Sequence, residues 1–445
     1  MVKKITLIVY LCVAMVSAAA QTKPAAQTKP AAQTKPAPQS ADGGAAVSPP
    51  ALRQETFDIV WRTVKEKHFD PTFGGVDWDK VREQYAPRVG AVKSDGELYA
   101  VLQQMLGELH QSHFYIIPPE SIVRSESKEP EGGGIGIDIR FIDNQAVITR
   151  VEPGSRAAIA GLRAGFVIKK VDDMTVEQIT ERFSKSKESP ALIHLLKVHA
   201  VLNHTKGKPE TAVRIAYLDE RDRLREATVT RERLKGEMSP AFGNFPPQYT
   251  EFESKRLAGG IGYIRFNIFV MMLMDKIRAA IREMNDAAGI IIDLRSNPGG
   301  VGAMAMGMAG MLETKQVSLG VMKLRASPLS FIAFPQTGAY GGPVVILIDG
   351  GSASTSEIFA GGMQELGRAV VVGERSMGAA LPSQIMQLPT GARLQYAIAD
   401  FKTPKGVLIE GRGVTPDREV KLTRRALLKG RDSQLEAAIE HIKRK

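Results

Sequence analysis

Residues 344–373, VVILIDGGSASTSEIFAGGMQELGRAVVVG, constrain this chain more than any other stretch. The five apolar residues at 344–348 lack a helical period and suit a buried strand. Asp349-Gly350-Gly351 permits a tight turn. Ser352, Ser354 and Ser356 come next, and then Ile358, Phe359, Met363 and Leu366 recur at helical spacing. Strand, sharp turn and helix therefore set a small hydroxyl side chain at a helix N-terminus, beside N–H groups without an intrahelical partner. Such a position suits a serine nucleophile and equally a plain N-cap; taken locally, the N-cap is the commoner outcome.

The chain has 445 residues, room for two or three domains and a sizeable core. Its 43% hydrophobic and 24% charged content is that of a globular protein. The formal net charge is +11, but Lys3, Lys4, Lys23, Lys29 and Lys35 fall in the first fifty residues. A further basic group, Lys421, Arg424, Arg425, Lys429 and Arg431, lies near the C-terminus. Arginines and aromatics do not interleave, which argues for a solvated basic face and against a nucleic-acid partner.

The N-terminus has the order of a secretory signal over 1–20: Lys3-Lys4, an apolar run at 5–16, then small residues before Gln21. The run is too short to span a bilayer comfortably, so no integral membrane segment is expected after cleavage. Cys12, the only cysteine, sits in Tyr-Leu-Cys, a poor fit to a lipid-acceptor site. A mature chain without thiols suits a secreted or periplasmic location. The repeats QTKPAA, QTKPAA and QTKPAP open a semi-extended linker over 21–50.

Residues 51–130 read as a helical unit, with Phe57, Val60, Trp61 and Val64 on one face and Leu98, Val101, Leu102, Met105, Leu106 and Leu109 on another. The pattern turns strand-like after Gly107-Glu-Leu-His-Gln-Ser-His113. Residues 131–235 differ: glycines 132–134 lead into an alternating strand at 135–139, and further strands are expected at 147–151, 212–216 and 227–230. A helical insertion at about 176–204 carries His194, His199 and His204, whose spacing does not gather them on one face and argues against a metal site. Over 236–445, strands at 261–266 and 289–294 alternate with helices at 274–284 and 304–312, the pattern of a mixed sheet covered on both faces.

Four segments together resemble the C-terminal processing (tail-specific) serine peptidases and their tricorn-core relatives: DLRSNPGG at 293–300, GGSASTSEIFAGGMQELGRAVVVGE at 350–374, TPKG at 403–406 and IEGRGVTPD at 409–417. Residues 131–235 are similar to a circularly permuted PDZ domain of bacterial proteases. The resemblance implies an α/β and α+β multidomain fold: a helical N-terminal domain at 51–130, a PDZ-like β domain at 131–235, and a mixed α/β (crotonase-like ββα) protease core with a C-terminal helix at 236–445. It implies Ser354 as nucleophile, with Gly299, Gly300 and Thr355 supplying oxyanion donors. It also implies that Gly134, Ile135, Gly136 and Ile137 receive the C-terminus of a polypeptide substrate. No cofactor or metal is implied, and a homo-oligomer is compatible with it.

One departure decides the base. Ser–Lys members carry a lysine where this chain has Ala379, in Gly373-Glu-Arg-Ser-Met-Gly378-Ala379. Alanine cannot accept a proton, so either the chain is an inactive peptide-binding protein or another base serves. The segment ending in His113 is similar to one in the branch where histidine activates the serine, and Glu410 stands where that branch has an orienting carboxylate. Imidazole is a suitable base near neutral pH, and a carboxylate fixes its tautomer. The rate should then rise with an apparent pKa of roughly 6 to 7. His110 is a rival for the role; Glu357 and Glu374 read as supports of the fold near the site. A hydrolase of small acyl substrates is a third reading of the same residues.

Overall fold

The structure is a computed structural model that describes residues 47–122, 132–184, 186 and 188–444. The expected signal at 1–20 and nearly all of the linker lie outside the described residues.

A six-stranded sheet organises the C-terminal half. Its order is Phe252–Leu257, Ile261–Phe266, Ile290–Asp293, Val344–Ile348, Ala369–Gly373 and Arg418–Glu419. The first pair is antiparallel and all the others are parallel. Because side chains alternate between faces, Ile290, Ile292, Ile346, Ile348 and Val371 enter one apolar cluster and Ile291, Val345, Leu347 and Val372 another. Both faces are covered, which is why these strands are written without polar alternation. The first cluster takes Ile277 and Ile281 from helix Met274–Glu283, Met304 and Met308 from Ala303–Gly310, and Ile358, Phe359 and Met363 from Thr355–Glu365. The second is closed by Ala437, Ala438 and Ile442 of the terminal helix Ser433–Lys443.

Three N-terminal helices, Pro50–Lys67, Trp78–Ala91 and Asp95–Gly107, pack through Phe57, Val60, Val64, Leu98, Leu102 and Met105. Their cluster continues into Leu381, Leu394 and Tyr396, far along the chain. The short strand Tyr115–Ile117 pairs antiparallel with Arg393–Ala397, Tyr115 opposite Gln395. This pairing ties the His113 segment to the C-terminal half. The hairpin to which Arg393–Ala397 belongs, and the three-stranded sheet of Pro328–Ala333, Val317–Leu324 and Ala399–Lys402, had no counterpart in the sequence reading.

Between these units lies an antiparallel sheet in the order Ile137–Ile142, Gln145–Val151, Val167–Val171, Ala212–Leu218 and Leu224–Thr230. It has its own core, with Ile139, Ile148, Ile168, Val201, Val213 and Ile215. Helix Pro190–Thr205 gives Val198 and Val201 to that core and Leu195 to a different cluster, with Ala353, Met377 and Ala379. One helix thus touches both the sheet and the serine turn. Arg140 of the sheet makes a second link, pairing with Asp349 at 2.7 Å.

Candidate active site

The serine turn is held by its neighbours as well as by its own residues. Asp349 Oδ1 accepts from Ser296 N–H at 2.8 Å and Gly351 N–H at 2.9 Å. Ser352 Oγ donates to Leu294 O at 2.7 Å, and Ser356 Oγ donates to Asn297 O at 2.9 Å. Thr355 Oγ1 donates to Gly300 O at 2.9 Å. The turn after Ile290–Asp293 and the turn after Val344–Ile348 are therefore stitched together, side by side at the carboxyl ends of parallel strands. Of the three serines, Ser352 and Ser356 are spent on this stitching. Ser354 Oγ is buried without a hydrogen-bond partner.

Ser354 stands at the N-cap position of helix Thr355–Glu365, but with φ 54° and ψ −118° instead of the extended backbone of an ordinary cap. A non-glycine residue held there costs on the order of 1–3 kcal/mol, and such strain gathers at functional sites. Gly299, at φ +94°, presses against it: a Cβ at 299 would lie 2.7 Å from Ser354 Cβ and 2.8 Å from Thr355 N. Glycine is what allows this approach. The three expected oxyanion donors differ. Gly299 N–H is already committed to Asn297 Oδ1 at 2.9 Å. Gly300 N–H and Thr355 N–H donate to no other described group, Thr355 being the first residue of its helix.

His113 is fully buried, and its backbone is also left-handed, at φ 63°. Its Nδ1 lies 2.6 Å from Ser112 Oγ. Ser112 Oγ donates to Glu410 Oε2 at 2.9 Å, and Ser112 N–H donates to Glu410 Oε1 at 2.8 Å. A hydroxyl has one proton, and here it goes to the carboxylate, so Ser112 Oγ accepts from His113 Nδ1–H. The remaining nitrogen, Nε2, then carries the lone pair; it is buried without a partner. Glu410 thus reaches His113 through Ser112, a relay that the sequence did not disclose. His110 is exposed.

The segment 378–380 joins the two halves. Ser354 N–H donates to Ala379 O at 2.9 Å, and Ala380 N–H donates to Glu410 Oε2 at 2.9 Å. Glu357 organises the same segment. Its carboxylate accepts from Ser376 Oγ at 2.5 Å, Gly378 N–H at 2.7 Å, Ala379 N–H at 2.9 Å and Ser354 N–H at 3.0 Å. Glu374, the other supporting acid, accepts from Gln434 Nε2 at 3.1 Å.

Burial dominates the electrostatics. It holds His113 down to about 3, so the ring is neutral. It raises Glu410, against the hydrogen bonds from Ser112 and Ala380, and raises Glu357 to about 7 against its four donors. No hydrogen bond joins Ser354 Oγ to His113 Nε2 in this conformation, and both are covered, with Leu195 packed beside Ala353 and Ala379. The arrangement contains a neutral imidazole of defined tautomer, a free hydroxyl on a strained turn and two free N–H donors, the parts needed for acyl transfer. Among the described residues, no group of three or more His, Cys, Asp or Glu could hold a metal ion.

The chain matches peptidase family S41 over residues 260–420 and the tricorn protease C1 domain over residues 49–107. It is similar to a carboxyl-terminal-processing protease of Synechocystis sp., 26% identical over 367 residues that cover 81% of this chain and 79% of the relative. A protein of the same name from Picosynechococcus sp. is 28% identical over 369 residues, covering 81% of each. The fold is like that of a photosystem II D1 C-terminal processing protease, with a TM-score of 0.55 at 23% identity, covering 87% of this chain and 96% of that one. With the S41 match spanning the serine turn and the C1 match lying on the N-terminal helices, in the expected order, the chain is similar to peptidase family S41 and is a serine-type peptidase.

Proposed function

We propose that the chain is an exported serine endopeptidase that hydrolyses peptide bonds through an acyl-enzyme on Ser354, with His113 as base and Glu410 acting on it through Ser112. The observation that carries this reading is the directed chain from Glu410 to Ser112 to His113 Nδ1, which leaves Nε2 as the acceptor. When the site closes on a substrate, Nε2 takes the Ser354 hydroxyl proton as Oγ attacks the carbonyl carbon. The oxyanion meets the N–H groups of Thr355 and Gly300, and Gly299 serves by leaving room. The imidazolium that forms is stabilised through the Ser112 hydroxyl by Glu410, and it then protonates the leaving amine. Water deacylates the enzyme by the same route. Ala379 is consistent with this scheme: its backbone serves the site on both sides, and the lysine of the Ser–Lys branch is not needed.

The sheet at 137–230 fits the role of a PDZ-like domain that takes polypeptide C-termini. Its strand Ile137–Ile142 lies at the sheet edge beside helix Pro190–Thr205, and the N–H groups of Ile135 and Gly136 donate to no described group. Gly134 is paired with Glu232 in a short ladder and so serves as a support for that turn. Export rests on the first twenty residues; among the described residues, no helix is long and apolar enough to cross a membrane.

Reaction with a fluorophosphonate probe tests the nucleophile. Labelling of the wild type and not of Ser354→Ala is expected, together with turnover of a peptide substrate by the wild type only. A wild type that neither labels nor hydrolyses peptides would instead be the inactive binding protein, and turnover of esters alone would point to the small-acyl hydrolase.

A further inference from the structure

A cavity of about 280 Å³ lies between the PDZ-like sheet and the core strands, and Ile135, Gly136, Ile137, Leu202, Lys206 and Phe252 contribute to its wall. Most charges around it are paired. Asp138 meets Arg265 at 2.8 Å, Glu253 meets Arg150 at 3.1 Å and Glu152 meets Lys235 at 3.3 Å. Glu251, also in the wall, is a carboxylate whose pKa is raised by burial. Among the cations of the wall, Lys206 is the exception. Its Nζ makes no ion pair and no hydrogen bond with a described residue, although its side chain is exposed to the cavity.

The backbone fixes where this ammonium sits. Lys206 directly follows helix Pro190–Thr205, and its neighbour Gly207 bridges Gly133, each donating its N–H to the other's carbonyl, at 2.6 and 3.0 Å. This bridge ties the end of the helix to the glycine turn, so the lysine and the free N–H groups of Ile135 and Gly136 open on one cavity. We propose that Lys206 is the residue that gives this site its preference for a free C-terminal carboxylate, as the counter-charge to an anion held by the Ile135 and Gly136 N–H groups. The proposal rests on the peptide-binding reading above and adds to it a named cation outside the glycine turn.

The cavity chemistry explains why a lone lysine would be kept there. A carboxylate leaving water is stabilised by donors and further by an opposite charge, and two backbone N–H groups supply only the first. Protein crowds the ammonium on several sides, which lowers its pKa, while Glu251 and Asp138 act in the opposite direction. Asp138 is already committed to Arg265, and neither it nor Glu251 forms an ion pair with Lys206. The apolar wall, Ile137, Leu202 and Phe252, suits the last side chain of the peptide, consistent with a terminal apolar residue.

The test uses the full chain carrying Ser354→Ala, to prevent hydrolysis, and a fluorescein-labelled octapeptide ending in Ala-Val-Leu, as the free acid and as the amide, read by anisotropy. The parent should bind the acid about tenfold more tightly than the amide, the size of one charge-assisted contact. Lys206→Met should bring that ratio close to one by weakening the acid alone, and Lys206→Arg should keep it. Acid binding to the parent should weaken as salt is raised while amide binding does not, a readout that needs no Lys206 variant. A Lys206→Met protein with the full acid preference, or acid binding indifferent to salt, would overturn the role of Lys206 and leave carboxylate capture by the N–H groups standing. A parent that binds acid and amide equally would remove the peptide-terminus reading itself, and this proposal with it.

Discussion

Replacing Ser112 by alanine tests the relay at its least obvious member. The hydroxyl stands between His113 Nδ1, at 2.6 Å, and Glu410 Oε2, at 2.9 Å. Its removal leaves a buried Nδ1–H without an acceptor, at a cost of about 1–3 kcal/mol. It also separates the carboxylate from the imidazolium that forms during attack. In a triad with direct contact, disabling the orienting carboxylate lowers kcat by about 10⁴-fold. Here the coupling passes through one neutral group, and Glu410 keeps its bonds to Ser112 N–H and Ala380 N–H. A loss of roughly 10²- to 10³-fold in kcat is therefore expected, which is about 2.7–4 kcal/mol of transition-state stabilisation. The assay is steady-state hydrolysis of a peptide substrate, with KM measured separately and thermal unfolding run beside it. KM should change little, because Ser112 is not expected to touch substrate, and Ser112→Thr should recover much of kcat. A folded Ser112→Ala protein with kcat within twofold of wild type would refute the relay, and Glu410 would then have to act on His113 in some other way.

Ser354→Ala and His113→Ala should each abolish peptide hydrolysis, and the double variant should be no worse than either alone, since the two residues act as a unit; additive losses would contradict this. Glu410→Gln should lower kcat less completely, which the same kinetics would measure. Gly299→Ala should lower kcat severely, because its Cβ would meet Ser354 Cβ and Thr355 N within 2.8 Å at a backbone angle of φ +94°; wild-type turnover would show that the turn can give way. The pKa of His113 is depressed by folding, from about 6.5 to about 3, so its contribution to stability is fully present above pH 6.5 and is lost as pH falls towards 3. The unfolding free energy of wild type relative to His113→Gln should thus fall by at most about 5 kcal/mol over that window in denaturant titrations, and a flat difference would show that the ring is not held neutral. The same depression should move the acid limb of kcat/KM below 6.5, earlier than an unperturbed histidine would give.

The elements around the serine were legible because their signals are local. The apolar run at 344–348 is a strand with the expected bounds, and the helix after it begins at Thr355. The strand expected at 261–266 is observed there, and the one expected at 289–294 spans Ile290–Asp293. The strand expected from residue 135 begins at Ile137, because Gly136, at φ 78°, still belongs to the turn. The hairpin at 383–397 was not expected, and the third strand that extends it, Tyr115–Ile117, comes from the other end of the chain.

What the sequence determined by itself was a set of short-range facts: where apolar runs end, where glycine permits a turn, and which hydroxyls, imidazoles and carboxylates stand beside such turns. Those facts left Ser354 as one of several candidate serines; it was the resemblance to the C-terminal processing peptidases that singled out Ser354, His113 and Glu410, whose roles stand here as a proposal. Which of three neighbouring serines keeps a free hydroxyl was decided only by tertiary structure, since Ser352 and Ser356 are consumed by acceptors on the turn at 294–297. The same holds for Ser112. Its partner Glu410 is 298 residues away, and a serine before a histidine carries no periodic or compositional mark of what it will touch. The burial that keeps His113 neutral is likewise a property of the packed fold, because desolvation depends on every group that surrounds the ring and not on the residues beside it in the chain.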